Sequence, residues 1–149
     1  MGMKLYYPAV DGECAELSVN HKTDKSVWQR IIRVFRQDSG IEVENIVGWH
    51  EKHKLMKVDF NCNILTRNVV CDTSAGFISR EMHRNTSWQA ARFECCHHKW
   101  FDLSETGGGI AVINEGKYGI GITDKGVSLS LLRATMRPDQ PVTRRNAAI

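Results

Sequence analysis

The chain has 149 residues, 42% hydrophobic and 25% charged, with a formal net charge of +3. That size and composition suit one globular domain and exclude a low-complexity or disordered chain. Lys and Arg are scattered, with Arg144-Arg145 the one adjacent pair, so the concentrated basic face of a nucleic-acid binder is missing, and the longest apolar runs are too short to span a bilayer.

Five cysteines are an odd number, and their spacing fits no disulfide framework. No secretory signal precedes Tyr6. Together these predict a reducing, cytoplasmic setting.

In chain order, residues 1–26 read as a polar, irregular segment with a turn at Asp11-Gly12 that leads into a first strand. Lys25 to Gln37 is ambiguous: Val27, Ile31, Val34 and Phe35 fall at helical spacing, yet the run also suits a strand buried on both faces. In Ile41 to Trp49, Ile41, Val43, Val47 and Trp49 share one face, with Asn45 the exception. Leu55 to Ile64 alternates cleanly, Met56, Val58, Phe60, Cys62 and Ile64 against Lys57, Asp59, Asn61 and Asn63, as a half-buried strand does. Val69 to Cys71 and Phe77 to Ile78 are candidate short strands, and Arg92 to Trp100 reads as one strand. The glycines at 107–109 break the chain before Ile110 to Asn114. Asp124-Lys125-Gly126 marks a turn before the strand Val127 to Arg133. Regular strand-turn spacing with few helical windows predicts an all-β sandwich of mostly antiparallel strands. Residues 140–149 read as a frayed or unrelated tail, and no interior linker is visible.

Two stretches invite a metal. RFECCHHKWFDLSE, Arg92 to Glu105, holds Cys95-Cys96-His97-His98. On a strand, Cys95 and His97 point one way and Cys96 and His98 the other, so at most two of the four can share an ion, whereas structural zinc takes four ligands. Cys62 or Cys71 could complete a set only through the tertiary fold. The expectation is that the cysteines pack as small hydrophobes and the histidines sit at a surface or in hydrogen bonds. His50-Glu51-Lys52-His53 is one residue short of the helical HExxH zinc motif and lies between strands; a charged turn is expected. The glycines of TGGGIAV and EGKYGIGITDKG open no helix and end in no GK[ST], so hairpin turns fit better than a phosphate loop. The residues alone present no catalytic cluster.

From Asn85 onward the chain resembles the C-terminal β region of glycoside hydrolase family 38 α-mannosidases, closest to the cytosolic and bacterial branch. The motifs carrying this are Asn85-Thr86-Ser87-Trp88, Ala91 to Glu94, His98 to Trp100, Asp102 to Glu105 and Asn114 to Gly119. Upstream, Trp49 to Leu55 (WHEKHKL) is similar to the branch's W-H-E-[RK]-H-K-L, and downstream Leu129 to Ala134 (LSLLRA) to its L-S-L-L-R-A. The matches keep order over 27–139. The resemblance implies that CCHH and WHEKH are scaffold, that Lys25 to Gln37 is a strand, and that 27–139 is a supersandwich-like C-terminal β region of a larger enzyme.

It further implies retaining hydrolysis of terminal α-D-mannosyl residues. An N-terminal α/β domain would carry zinc, a nucleophilic Asp and an acid/base carboxyl, the closely spaced carboxyl pair such chemistry requires. This chain would hold no catalytic residue and no metal ligand, would be inactive alone, and would have the catalytic domain and mannose-containing glycans as partners. A turn of the family's β region reaches toward the sugar site. Mapped onto Asn114, Glu115, Lys117 and Tyr118, it makes these the candidate substrate-side residues; a plain hairpin turn is the alternative. The sequence departs from the family pattern at Gln89, Gly108 and Glu115-Gly116. The alternative function is a free-standing carbohydrate-binding module using Trp49, Trp88 and Trp100, although Trp88 and Trp100 lie in scaffold motifs expected to fill the core or a domain interface. Exposed edges would also favour oligomers.

Overall fold

Alternating apolar and polar residues, punctuated by Gly, Asp and Asn, give a chain made almost wholly of strands. The computed structural model describes residues 13–92, 94–123, 125–134 and 147–148. The strands are β1 Cys14–Lys22, β2 Val27–Phe35, β3 Ile41–Gly48, β4 Leu55–Asn61, β5 Asn68–Thr73, β6 Gly76–Glu81, β7 Glu94–Cys96, β8 Trp100–Glu105, β9 Gly108–Ile113, β10 Gly119–Thr123, β11 Gly126–Arg133 and β12 Ala147–Ala148; the one helix among the described residues is α1, Ser87–Ala91. Every strand pairing is antiparallel. The all-β expectation holds. The chain divides into two compact units, Met1–His53 with Ala134–Ile149, and Lys54–Arg133, although the sequence has no linker composition at the border.

The first unit is one sheet in the order β1-β2-β3-β12. Its register sets Leu17 opposite Ile32 and Ile32 opposite Val43. One face therefore carries Leu17, Val19, Ile32, Val43 and Val47, and the other Glu16, Arg33, Glu42 and Glu44. On the polar face Arg33 bonds Glu16 at 3.0 Å and Glu44 at 2.9 Å. On the apolar face fully buried Asn45 accepts from Arg30 Nε at 3.2 Å. Asn45 thus keeps its place on the buried side, which the alternation pattern marked as an exception. His21 stacks on Trp28, ring centroids 4.7 Å apart. The segment read as irregular before Val27 carries the nine-residue β1, because its modest apolar residues pair in register with β2. Residues 1–12 lie outside the described residues. So do 140–149, the expected tail, apart from the Ala147–Ala148 backbone, which pairs with β3.

The second unit has two four-stranded sheets, β4-β11-β10-β7 and β6-β5-β8-β9. The first turns Val58, Phe60, Ile120, Ile122, Val127 and Leu129 to one face. The second turns Val69, Cys71, Phe101, Leu103 and Val112 to one face. Val69, Cys71, Phe101, Leu103, Ile120, Val127 and Leu129 are essentially inaccessible to solvent. The Phe60 ring meets Phe101 edge-on, centroids 5.9 Å apart, which joins the two inner faces across the sandwich core.

Three details depart from the sequence reading. Arg92 to Trp100 is not one strand: β7 stops at Cys96 and β8 starts at Trp100. The backbone between them turns because Asp72 draws its amides to a carboxylate. The strand from Leu55 ends at Asn61 rather than Ile64. At 107–109 only Gly107 lies in the turn, while Gly108 and Gly109 begin β9. Gly109 is required by close approach, since a Cβ there would stand 2.4 Å from Ser104 Oγ and 2.8 Å from the Leu103 carbonyl oxygen.

Candidate functional site: the Asn114–Tyr118 turn

The turn that the resemblance singles out lies between β9 and β10. Its first residue, Asn114, is buried. Its backbone N–H donates to the Lys99 carbonyl at 2.7 Å, which ties the turn to the connection between β7 and β8. Its side chain works inward. Asn114 Oδ1 accepts the Lys117 amide at 3.0 Å, an Asx-type closure of the turn. Gly116 supplies the left-handed residue, with φ +72°. Asn114 Nδ2 lies 2.7 Å from His97 Nε2.

With Oδ1 occupied as an acceptor, the Asn114 amide is the donor to His97. Nε2 therefore accepts and Nδ1 carries the proton. Burial lowers the His97 pKa, partly opposed by the Tyr118 backbone and the Asp72 charge. The ring is neutral at neutral pH, as the assigned tautomer requires. His97 is fully buried with its ring edge-on to Phe101, centroids 5.3 Å apart, and its N–H donates to the Tyr118 carbonyl at 2.9 Å.

Asp72 of β5 fixes the neighbouring loop. One of its oxygens, Oδ1, accepts the amides of His98, Lys99 and Trp100 at 2.8, 2.8 and 3.1 Å. Desolvation pushes the Asp72 pKa up, but these three backbone bonds outweigh it and leave the carboxyl below its ordinary value. Two loops are thus pinned to each other and to β5 by buried or charge-assisted bonds. Glu115 and Tyr118 face outward; Tyr118 is 55% exposed, with its ring edge-on to His98 at 5.6 Å.

Of the four sequence candidates, Asn114 is therefore an internal fastener. Glu115 and Tyr118 are presented to solvent, and Lys117 contributes its amide to the turn. His97 and Asp72 were missed. His97 was read only as half of a metal-like motif, and Asp72 lies far away in sequence, so neither carried a local signal. Burial alternates through CCHH although the strand stops at Cys96: Cys95 is half-buried and His97 buried, while Cys96 and His98 are exposed. Among the described residues, no group of three or more His, Cys, Asp or Glu side chains is arranged to hold a metal ion.

The sequence reading also missed α1. Thr86 accepts the Gln89 amide and Gln89 reaches back to the Thr86 amide, a capping box. The T-x-x-Q spacing was available in the sequence. Trp88, expected to fill a core or an interface, is not in this chain's core. It stands 77% exposed on that helix, because a single turn with no buried residue has no face to bury.

Residues 9–141 match the family described as Glycosyl hydrolases family 38 C-terminal domain. The chain belongs to that family. Among characterised relatives of this family 38 domain, Alpha-mannosidase 2C1 of Homo sapiens is 45% identical over 93 residues, 62% of this chain and 9% of that protein. Alpha-mannosidase G of Dictyostelium discoideum is 45% identical over 114 residues, 76% and 10% respectively. Alpha-mannosidase of Saccharomyces cerevisiae is 38% identical over 107 residues, 72% and 10%. The family 38 domain thus spans about a tenth of the length of the curated relatives it matches. No helix among the described residues is long and apolar enough to cross a membrane.

Proposed function

We propose that this family 38 domain serves as the C-terminal β part of a cytoplasmic α-mannosidase that hydrolyses terminal α-D-mannosyl residues. Its partner in that reading is the catalytic domain of the same enzyme. The observation that carries it is the 45% identity to two proteins named as α-mannosidases. Zinc, implied by the resemblance, finds no ligand set among the described residues. In this reading it belongs to the catalytic domain, as do the two carboxyls, and no chemical step is assigned to this chain.

The chain's contribution would be to support the cleft and shape its sugar side. Asn114, His97 and Asp72 would hold the turn rigid, while Glu115 and Tyr118 face the glycan. A rigid, preorganised turn suits that work, because an aromatic held in place loses little freedom when a sugar packs on it. The test is a chimera in which this chain replaces the matching segment of the Dictyostelium relative, assayed on an aryl α-D-mannoside. The chimera is expected to be active. Tyr118→Ala is expected to lower kcat/KM about tenfold, equivalent to ~1.4 kcal/mol, while the exposed control Leu65→Ala is silent. Equal activity of Tyr118→Ala and the parent chimera would reduce the turn to a hairpin. A folded but inactive chimera would sink the domain reading.

The reading as a carbohydrate-binding module draws support from one observation. Cross-strand registers put Phe77, Trp100 and Ile113 in one row on the outer face of β6-β5-β8-β9, and Phe77 and Ile113 are 73% and 69% exposed. Trp49 is half-buried and Trp88 lies apart on α1. A saturable change in tryptophan fluorescence on titration with mannose would favour this module over a purely supporting role.

A further inference from the structure

The second unit contains a pair of cysteines that neither the turn nor the family reading uses. Cys71 lies on β5, where its partners Phe101 and Ile78 orient it into the sandwich, and it is inaccessible to solvent. Cys95 lies on β7 of the opposite sheet, paired with fully buried Ile120 and therefore on the same inner side. His97, two residues past Cys95, sets its ring edge-on to Phe101, the register partner of Cys71, so the two thiols, 24 residues apart in sequence, face the same part of the core, and each acts on the other's ionisation. Arg80 of β6 pairs with Val69, so its side chain leaves the strand on the face that carries Cys71. Its buried Nε has no hydrogen-bond partner among the described residues.

We propose that Cys71 and Cys95 form an oxidant-responsive dithiol site, in which a hydroperoxide converts the two thiols into a disulfide that staples the two sheets of the sandwich. The pair divides the labour. Cys95 is half-buried, open enough for a small oxidant. The Cys71 thiol holds its pKa below the ordinary thiol value, and the Arg80 charge lowers it further, against burial and Glu94, which raise it. Cys71 is pushed the other way, first by Cys95 and then by burial. Cys95, the thiol that an oxidant can reach, is therefore the nucleophile, and inaccessible Cys71 the resolving thiol.

The chemistry balances. The Cys95 thiolate attacks the terminal oxygen of the hydroperoxide, giving a sulfenic acid at Cys95 and releasing the alkoxide, or hydroxide when the oxidant is hydrogen peroxide. Cys71 then attacks the Cys95 sulfur and forms the S–S bond. Its proton and the departing hydroxyl leave as water, and the two electrons lost by sulfur reduce the peroxide bond. A low-molecular-weight thiol in excess reverses the step by exchange.

The site is tested on the full 149-residue chain treated with hydrogen peroxide, denatured, alkylated and digested with trypsin. The expected product links the peptide 68–80 to the peptide 93–99. The link persists in Cys96→Ser, disappears in Cys95→Ser, and is undone by dithiothreitol. Because Cys71→Ser would place a hydroxyl in a sealed core and threatens folding, Cys95→Ser at the half-buried end is the primary variant. A second readout is the thermal midpoint, which should rise on peroxide treatment of the parent chain and of Cys96→Ser but not of Cys95→Ser. Oxidation of Cys95 to the sulfinic acid with Cys71 still alkylatable would overturn the proposal. So would a cross-link through Cys62 or Cys96, or a chain left fully reduced.

Discussion

The two units reach order by different means. The unit of β1, β2 and β3 is one sheet whose polar face is laced by Arg33 between Glu16 and Glu44. Buried nitrogens with no partner among the described residues do not separate the units, since Asn45, Trp28 and His21 hold them here and Arg80, His83 and His97 in the other. The unit from Lys54 to Arg133 closes two sheets over Phe101, Leu103, Ile120 and Leu129, none more than 1% exposed. A single sheet gains from cross-strand pairs, each worth about 0.2–1 kcal/mol. A sandwich gains from removing whole side chains from water, about 1.5–3 kcal/mol for each large apolar one. The lesson is that the candidate turn is mounted on the stiffer kind of structure. Its anchors, His97 and Asp72, rest against the sandwich core or on a strand that lines it.

The largest break in that comparison is Phe101→Ala. It removes a ring that touches Phe60 and His97 at the centre of the sandwich, and is expected to cost about 3–5 kcal/mol. Urea unfolding followed at amides of β8, β10 and β11 should show it; a loss below ~1 kcal/mol would mean that the sandwich is loosely packed there.

Asn114→Ala comes next. It leaves buried His97 Nε2 without its donor and the Lys117 amide without its acceptor. A cost of about 1–3 kcal/mol is expected. His97 amide exchange should quicken as the two loops part. Unchanged protection there would show that the turn is held by its backbone alone.

Arg33→Ala is the smallest. Arg33, Glu16 and Glu44 are each 25–30% exposed at the side chain, and the third carboxylate, Glu42 at 3.9 Å, is 62% exposed, so solvent screens all three pairs, and a total of ~1 kcal/mol or less is expected, smaller still at high salt. Faster hydrogen exchange confined to β1, β2 and β3 is the predicted signature. A loss as large as that of Phe101→Ala would erase the distinction between a laced sheet and a packed core.

Most of the strands can be read from the order of residues alone. Leu55 to Asn61 and Val127 to Arg133 were legible because a pleat alternates every second residue, and that period survives in the order of letters. At CCHH the pleat sends Cys95 and Cys96 to opposite faces, which limits what that one segment can offer to an ion. Family motifs decided what local pattern left open at Val27–Phe35, where helix and strand spacing coincide. The tertiary structure decided what depends on distant partners. It ended β7 at Cys96 because Asp72, more than twenty residues upstream, gathers the next three free amides. It turned Asn114 inward and left Tyr118 outward, a division within one turn that no spacing rule contains. And it turned Cys71 and Cys95 into one core from opposite sheets, because residues on different strands share an interior only where two sheets close face to face, and that closure is set by the whole core rather than by any stretch of it.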